Sequence, residues 1–428
     1  MEKFANKFLE YCKGNVLEIL CILIWVLITF PSMLNHAPWF DEAHAWTIAK
    51  YINLTNWFEI AKVEGHTIIW WLLLKPFAKN DIAYPYSMSI INWIFCFLSV
   101  LVLQFKSPFN KLTKFIVIFS TMYINYFSYT ARCYSVGLFA LFLLMSVYSK
   151  RFQKPILFSF ILIFALNTSI MAAVGALAIT VLYMYDIFRN KINTKNVLLS
   201  CGIIVIGYSL LILPLIGADS SAYNPMVVSI NHVRASFRNH IYCAAFLIVV
   251  MYLNFFKKNI SGKVFYIVVF YALTIIFTFI YGGAFYHKFF YVIYLLIALW
   301  MLDCDKKNVA YPVIIYFSLL ILFNPKVPKY KDNLSPIIAT SINKIASYNS
   351  VIITKRSINT LIPYLRKDLL IYDYCSQKKL TWQYVKIDNV DTCVQKNYQQ
   401  IENINIDNLI QKQTGPVYIF DSSLTKVK

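Results

Sequence analysis

Apolar and polar positions along this chain fall into long blocks, not into the short periods of a half-buried helix or strand. Largely apolar runs occupy positions 16–34, 82–105, 115–126, 135–148, 156–166, 169–188, 197–216, 241–256, 264–281, 289–302 and 309–323. A helix needs about 20 such residues to cross the hydrocarbon core of a bilayer. The pattern therefore predicts about eleven transmembrane helices, with the ends of the shorter runs approximate. The apolar piece 67–74 is too short to cross and stops at Lys75-Pro76. It is expected along the interface or within a paired outer loop.

After the last run the character of the chain changes. Residues 326–428 hold 15 Lys/Arg and 8 Asp/Glu with many Asn and Gln. Positions 351–354, 369–374 and 417–420 read as short strands, and 335–348 and 358–366 have helical spacing. The expected fold is an α-helical polytopic membrane protein over 1–325, with a first outer loop at 35–81, joined to a small extracytoplasmic α/β domain at 326–428.

The basic residues set the orientation. With the N-terminus inside, inner segments carry Lys3/Lys7/Lys13, Lys106/Lys111/Lys114, Lys150/Arg151/Lys154, Arg189/Lys191/Lys195, Lys257/Lys258/Lys263 and Lys306/Lys307. Outer turns around Arg132, Asn167 and Lys288 carry one basic residue or none. This is the positive-inside bias. The run at 16–34 follows lysines but lacks a small-x-small cleavage site, so it is expected to remain as the first helix.

Composition supports the same class. The 428 residues are 59% hydrophobic and only 14% charged, against roughly 25% charged in soluble domains. The net charge of +20 is spread in clusters between apolar runs, which argues against a nucleic-acid groove. The nine cysteines form no C-x-x-C or Cys/His cluster, so structural zinc is not expected. Cys375 and Cys393 lie in the polar tail. They either pair, if that tail is extracytoplasmic, or stay reduced.

The scarce acidic residues indicate where chemistry is to be sought. Up to Pro325 there are twelve, and five of the six assigned to the outer side, Asp41, Glu42, Glu59, Glu64 and Asp81, lie in the loop 35–81. Acids at a membrane boundary are typically functional or paired. Within "APWFDEAHAW", Asp41 and His44 share a face if helical, while Glu42 is rotated about 100° away. One carboxylate can then face a cavity while its neighbour braces the loop. "EGHTIIWWLLL" returns a second pair, Glu64 and His66, to the interface. The competing reading is that these groups cap short helices or pair with Lys50 and Lys62.

The order "FDEAHAW", "EGHTIIWWLLLKPF", "YTARCYS" and "GGAFYHKFFYVIYLLIALW" resembles the GT-C superfamily of integral-membrane glycosyltransferases, in the bacterial branch near protein O-mannosyltransferases and aminoarabinose transferases. The likeness spans about three-quarters of the chain. There are departures: His66-Thr67-Ile68 replaces a His-Pro-Pro run, Thr130 stands where an acid is expected, and His287-Lys288 replaces an arginine pair. The resemblance implies a sugar donor carried on a polyprenyl phosphate, and an acceptor hydroxyl on a glycan, lipid or protein. Transfer would take place at the extracytoplasmic face of the plasma membrane, with inversion.

On that reading Asp41 is the general base, with Glu42, Glu64 and His66 as further catalytic candidates. His44, Arg132, Tyr134, His287 and Lys288 are the substrate-binding candidates. Arg132 offers a planar fork to phosphate oxygens or, alternatively, snorkels at the interface; Tyr134 binds or simply packs. No cofactor is expected. Asp41, Glu42, Glu64 and His66 include metal-ligand types, but no spacing fixes a coordination geometry, so a divalent ion is not favoured. The rival class is a lipid-linked sugar or polysaccharide flippase. That class would place ionisable groups at mid-membrane and show internal pseudo-symmetry, and neither is visible in the sequence.

Overall fold

The structure, a computed structural model, describes residues 14–53, 55–64, 67–80, 82–192, 194–216, 260–276, 287, 289–301, 334–354, 360–366, 368–373, 378–379, 410, 415–420 and 424–427. The expected runs at 241–256 and 309–323 lie outside the described residues, as do Cys375 and Cys393.

The described chain is mostly helical: α1 Val16–Leu34, α2 Phe40–Tyr51, α3 Trp57–Glu64, α4 Ile69–Ala78, α5 Tyr86–Lys106, α6 Lys111–Ile118, α7 Cys133–Tyr148, α8 Pro155–Leu166, α9 Ile170–Arg189, α10 Lys195–Leu215, α11 Ile260–Ile275, α12 Phe289–Met301 and α13 Leu334–Ile345. Among the described residues four helices are long and apolar enough to cross a membrane: Val16–Leu34, Tyr86–Lys106, Ile170–Arg189 and Lys195–Leu213. They present large apolar side chains outward, among them Leu27, Val181, Val205 and Ile206, as lipid-facing helices do. The apolar helices α4, α7, α8 and α12 are shorter. The described residues are therefore those of a mostly helical chain with four helices of membrane-spanning length and apolarity.

Two compact units divide the chain. One comprises Met1–Asn35, Glu64–Trp70 and Ser89–Pro328; the other comprises His36–Val63, Trp71–Met88 and Lys329–Lys428.

In the first unit α8 packs on α10, α7 and α9, and α9 also packs on α11. Small residues and internally satisfied hydroxyls make these approaches close, as lipid-embedded packing requires. A Cβ on Gly175 would meet the Tyr294 ring at 2.4 Å. The Tyr294 hydroxyl bonds the Met171 carbonyl and accepts from the Gly175 N–H (3.2 Å). Ser159, Ser200 and Tyr183 form a buried hydroxyl chain between α8, α9 and α10.

The expected apolar helix at 115–126 is instead α6 followed by a π-helical turn, Tyr123–Phe127. The α-helix stops at Phe119, where the Ser120 hydroxyl donates to the Val117 carbonyl (2.7 Å), a side-chain bond that competes with the helix ladder.

In the second unit β1 Val351–Thr354, β2 Leu370–Asp373, β3 Lys378–Lys379, β4 Val417–Phe420 and β5 Leu424–Lys426 form one sheet in the order β3-β2-β1-β4-β5. The central strands β2, β1 and β4 are parallel, with Val351 level with Leu370 and Val417; the two edges are antiparallel. Ile352, Tyr418 and Phe420 pack against α13 on one face, while Val351, Ile353 and Val417 cluster on the other. The helical expectation at 358–366 is corrected. Among its described residues only a 3₁₀ turn forms, Ile362–Tyr364, because Pro363 removes a backbone donor and disfavours α geometry in the residue before it.

Candidate functional site

The second unit carries the acidic loop. The chain leaves His36 through Pro38 and enters α2, whose N-cap is Trp39. Glu42 is the third residue of that helix, and its Oε2 accepts from the Trp39 backbone N–H (2.9 Å). The same oxygen lies 2.8 Å from His36 Nε2. Both side chains are almost wholly buried, His36 3% and Glu42 0% exposed. A buried carboxylate is tolerated only when paired and hydrogen-bonded, and here it also satisfies a backbone donor at the positive end of a helix. Glu42 is thus the brace of the loop.

Asp41, one residue earlier on the first turn, is part-exposed, whereas His44 is buried with its ring stacked on Phe40 (6.2 Å between centroids). The neighbouring acids therefore differ in burial: Asp41 is half-buried, and Glu42 is wholly buried and holds the start of the helix.

Aromatic contacts fix α2 from the other side. Tyr84 lies 5.0 Å from the Trp46 ring and 4.9 Å from the Tyr364 ring, the latter edge-on. Burial raises the Tyr84 phenol above its ordinary value, with Tyr364 and Glu42 pushing in the same direction. Lys75 Nζ donates to the Ile52 carbonyl at the end of α2. Of the second predicted pair, Glu64 closes α3; its side chain and His66 lie outside the described residues.

The first unit carries the basic candidates. The π-turn ends at Phe127, whose carbonyl accepts from Asn92 Nδ2 (2.9 Å) and Ser135 Oγ (2.8 Å). Those two bonds fasten the segment leading to Arg132, the N-cap of α7. In the first turn of α7 the Tyr134 hydroxyl sits 2.6 Å from His287 Nε2, across 153 residues of sequence. His287 lies two residues before α12 and is 3% exposed. The rings meet edge-on at 5.2 Å, and Arg132 Cζ lies 5.8 Å from the Tyr134 centroid. Lys288 lies outside the described residues.

The structure therefore brings together Arg132, Tyr134 and His287, at the N-terminal ends of two helices. Helix N-termini carry partial positive charge and backbone donors that suit anions. A guanidinium, a phenol and an imidazole stand beside them, with the phenol and the imidazole hydrogen-bonded to each other.

His36 was not among the sequence candidates. Its partner is six residues away across the irregular stretch 36–39, a spacing that periodicity does not mark. Asn92 was missed for a related reason: a polar residue in an apolar run reads as packing until its partner carbonyl is located. Among the described residues no three His, Cys, Asp or Glu side chains gather as metal ligands.

No protein-family model, curated protein or solved structure matches the chain.

Proposed function

We propose that this protein is an inverting glycosyltransferase of GT-C-like, about eleven-span topology. It moves a sugar from a polyprenyl-phosphate donor to an acceptor hydroxyl at the extracytoplasmic face of the membrane. The observation that carries this reading is the hydrogen bond between Tyr134 and His287 beside Arg132. It joins two of the sequence segments that resemble the superfamily and gathers donors suited to a lipid-borne phosphate.

Asp41 takes the acceptor hydroxyl's proton. The acceptor oxygen forms its bond to the anomeric carbon, the bond from that carbon to the phosphate oxygen breaks, and polyprenyl phosphate leaves with the electron pair. Attack opposite the leaving group inverts the centre. The leaving phosphate is a weak base, so Arg132 serves it by neutralising charge and not by donating a proton, and His287 and Lys288 add hydrogen-bond donors. Glu42 positions Asp41 through the start of α2, and Glu64, His66 and His44 remain candidates for acceptor contacts. The assignment of Asp41 and Arg132 to one reaction comes from the sequence resemblance.

The test is mass spectrometry of envelope glycans, lipids and proteins from cells with and without the chain. Loss of one defined sugar, with its lipid-linked donor accumulating on the outer face, is the expected result. Accumulation on the inner face would point to the flippase class, and unchanged glycans would overturn the proposal.

A further inference from the structure

Helix α13, Leu334–Ile345, is apolar on two faces. One face, with Ala339 and Ile342 buried and Ile338 beside them, packs against the sheet. The opposite face presents Leu334 and Ile337, each 62% exposed, and Ile345, 56% exposed, with Tyr348 just beyond the helix at 74%. Spacings of three and eight residues keep Leu334, Ile337 and Ile345 on one stripe of the helix, and Tyr348 follows in the turn after it. Exposed apolar stripes of this kind mark interaction surfaces.

The polar atoms on this side suit a setting poor in water. Thr340 Oγ1 donates to the Pro336 carbonyl (2.7 Å) and Ser341 Oγ to the Ile337 carbonyl (3.1 Å), so both hydroxyls are satisfied within the helix itself. Cationic groups flank the stripe. Lys344 is exposed in the last turn. Arg366 donates to the Asn343 and Ser347 carbonyls (2.6 and 2.9 Å) and lies 5.9 Å from the Tyr348 centroid. A Tyr with nearby Lys and Arg at the edge of an apolar stripe is the composition of an interfacial anchor.

The sequence supplies the surface. The last apolar run ends at position 323, and the ten residues to Leu334 include Lys326, Lys329 and Lys331. Fully extended, that link spans at most about 40 Å, so α13 is tethered within reach of the bilayer.

We infer that α13 is an in-plane membrane anchor. Leu334, Ile337, Ile345 and Tyr348 insert at the headgroup boundary, and Lys344 lies among anionic headgroups, while Arg366 stays paired with Asp368. This inference is independent of the transfer chemistry. It gives the C-terminal domain a fixed face toward lipid.

The full-length protein tests it in nanodiscs of phosphatidylethanolamine and phosphatidylglycerol, with a diazirine placed near the headgroup end of the acyl chain. After photolysis and digestion, lipid adducts are expected on the 334–348 peptide within about threefold of the yield on α1. In Ile337→Glu/Ile345→Glu the adducts on 334–348 should fall at least fivefold while those on α1 persist. An unlabelled 334–348 peptide in the wild-type chain, beside a labelled α1, overturns the inference. So does cross-linking of that peptide mainly to a second copy of the chain.

Discussion

The Tyr134 hydroxyl and His287 Nε2 lie 2.6 Å apart, both buried, at the starts of α7 and α12. This bond converts two short sequence likenesses into one local cluster. It also fixes the imidazole beside the N-terminal ends of two helices, where a bound anion gains from both dipoles. Phe290 completes the seat, 6.1 Å from the Tyr134 ring.

Arg132 stands at the edge of that cluster and is assigned to the donor phosphate. Hydrogen bonds to charged groups contribute about 1.5–3 kcal/mol, so Arg132→Gln should weaken binding of polyprenyl phosphate by roughly 10- to 150-fold. Arg132→Lys keeps the charge but loses the fork and should fall between the two. Titration of the purified protein with polyprenyl phosphate checks this. Equal affinity across all three proteins would remove Arg132 from the site.

Glu42 and His36 are assigned to holding α2. Glu42→Ala removes the acceptor of the Trp39 N–H and the partner of the buried His36 ring, and losing a buried hydrogen-bond partner costs about 1–3 kcal/mol. The variant should unfold at a clearly lower temperature in detergent micelles, whereas Asp41→Asn should melt like the wild type. If Glu42→Ala melts unchanged, the bracing role is lost.

Gly175 allows helix α9 to approach Tyr294. Alanine normally favours a helix interior over glycine by about 1 kcal/mol, but here its Cβ would fall 2.4 Å from a ring that is 0% exposed and hydrogen-bonded in place. Overpacking of this kind costs about 1–3 kcal/mol. Gly175→Ala is therefore expected to lower the thermal midpoint, and Tyr294→Phe combined with it should not restore it, because the ring itself is the obstacle.

In the C-terminal domain, the Arg366 guanidinium holds the Asp368 carboxyl below the usual carboxylate range, with the Asn349 N–H adding to the effect. A depressed folded-state value means that the stabilisation is present above the ordinary value of about 3.9. It is then lost as pH falls through the lower folded value. Acid titration of the domain's unfolding should show this loss, and Asp368→Asn should flatten that limb of the profile while leaving the alkaline limb unchanged.

The helices were readable because membrane burial writes itself as continuous apolar sequence; α1 begins at Val16 and ends at Leu34 in both readings. The strands β1 and β4 were readable as short β-branched runs flanked by polar residues. The edge strands β3 and β5 were not, because Lys378-Lys379 and Leu424–Lys426 carry the charges that keep sheet edges from pairing further. At the site, Asp41 and Glu42 stood out in the sequence, and helical spacing already set them apart, but the partners of Glu42 were not legible there. Pairing with His36 depends on how the chain runs through the irregular stretch 36–39, and contact between Tyr134 and His287 depends on how distant helices pack. Neither property is carried by local periodicity.

The account turns on Asp41 as the base in sugar transfer. The direct measurement is transfer from a radiolabelled polyprenyl-phosphate sugar by the full-length protein in proteoliposomes, comparing wild type with Asp41→Asn. The account predicts a rate lower by about 10²–10⁴-fold, with polyprenyl phosphate still bound and the melting temperature unchanged. Transfer by Asp41→Asn at the wild-type rate would contradict it.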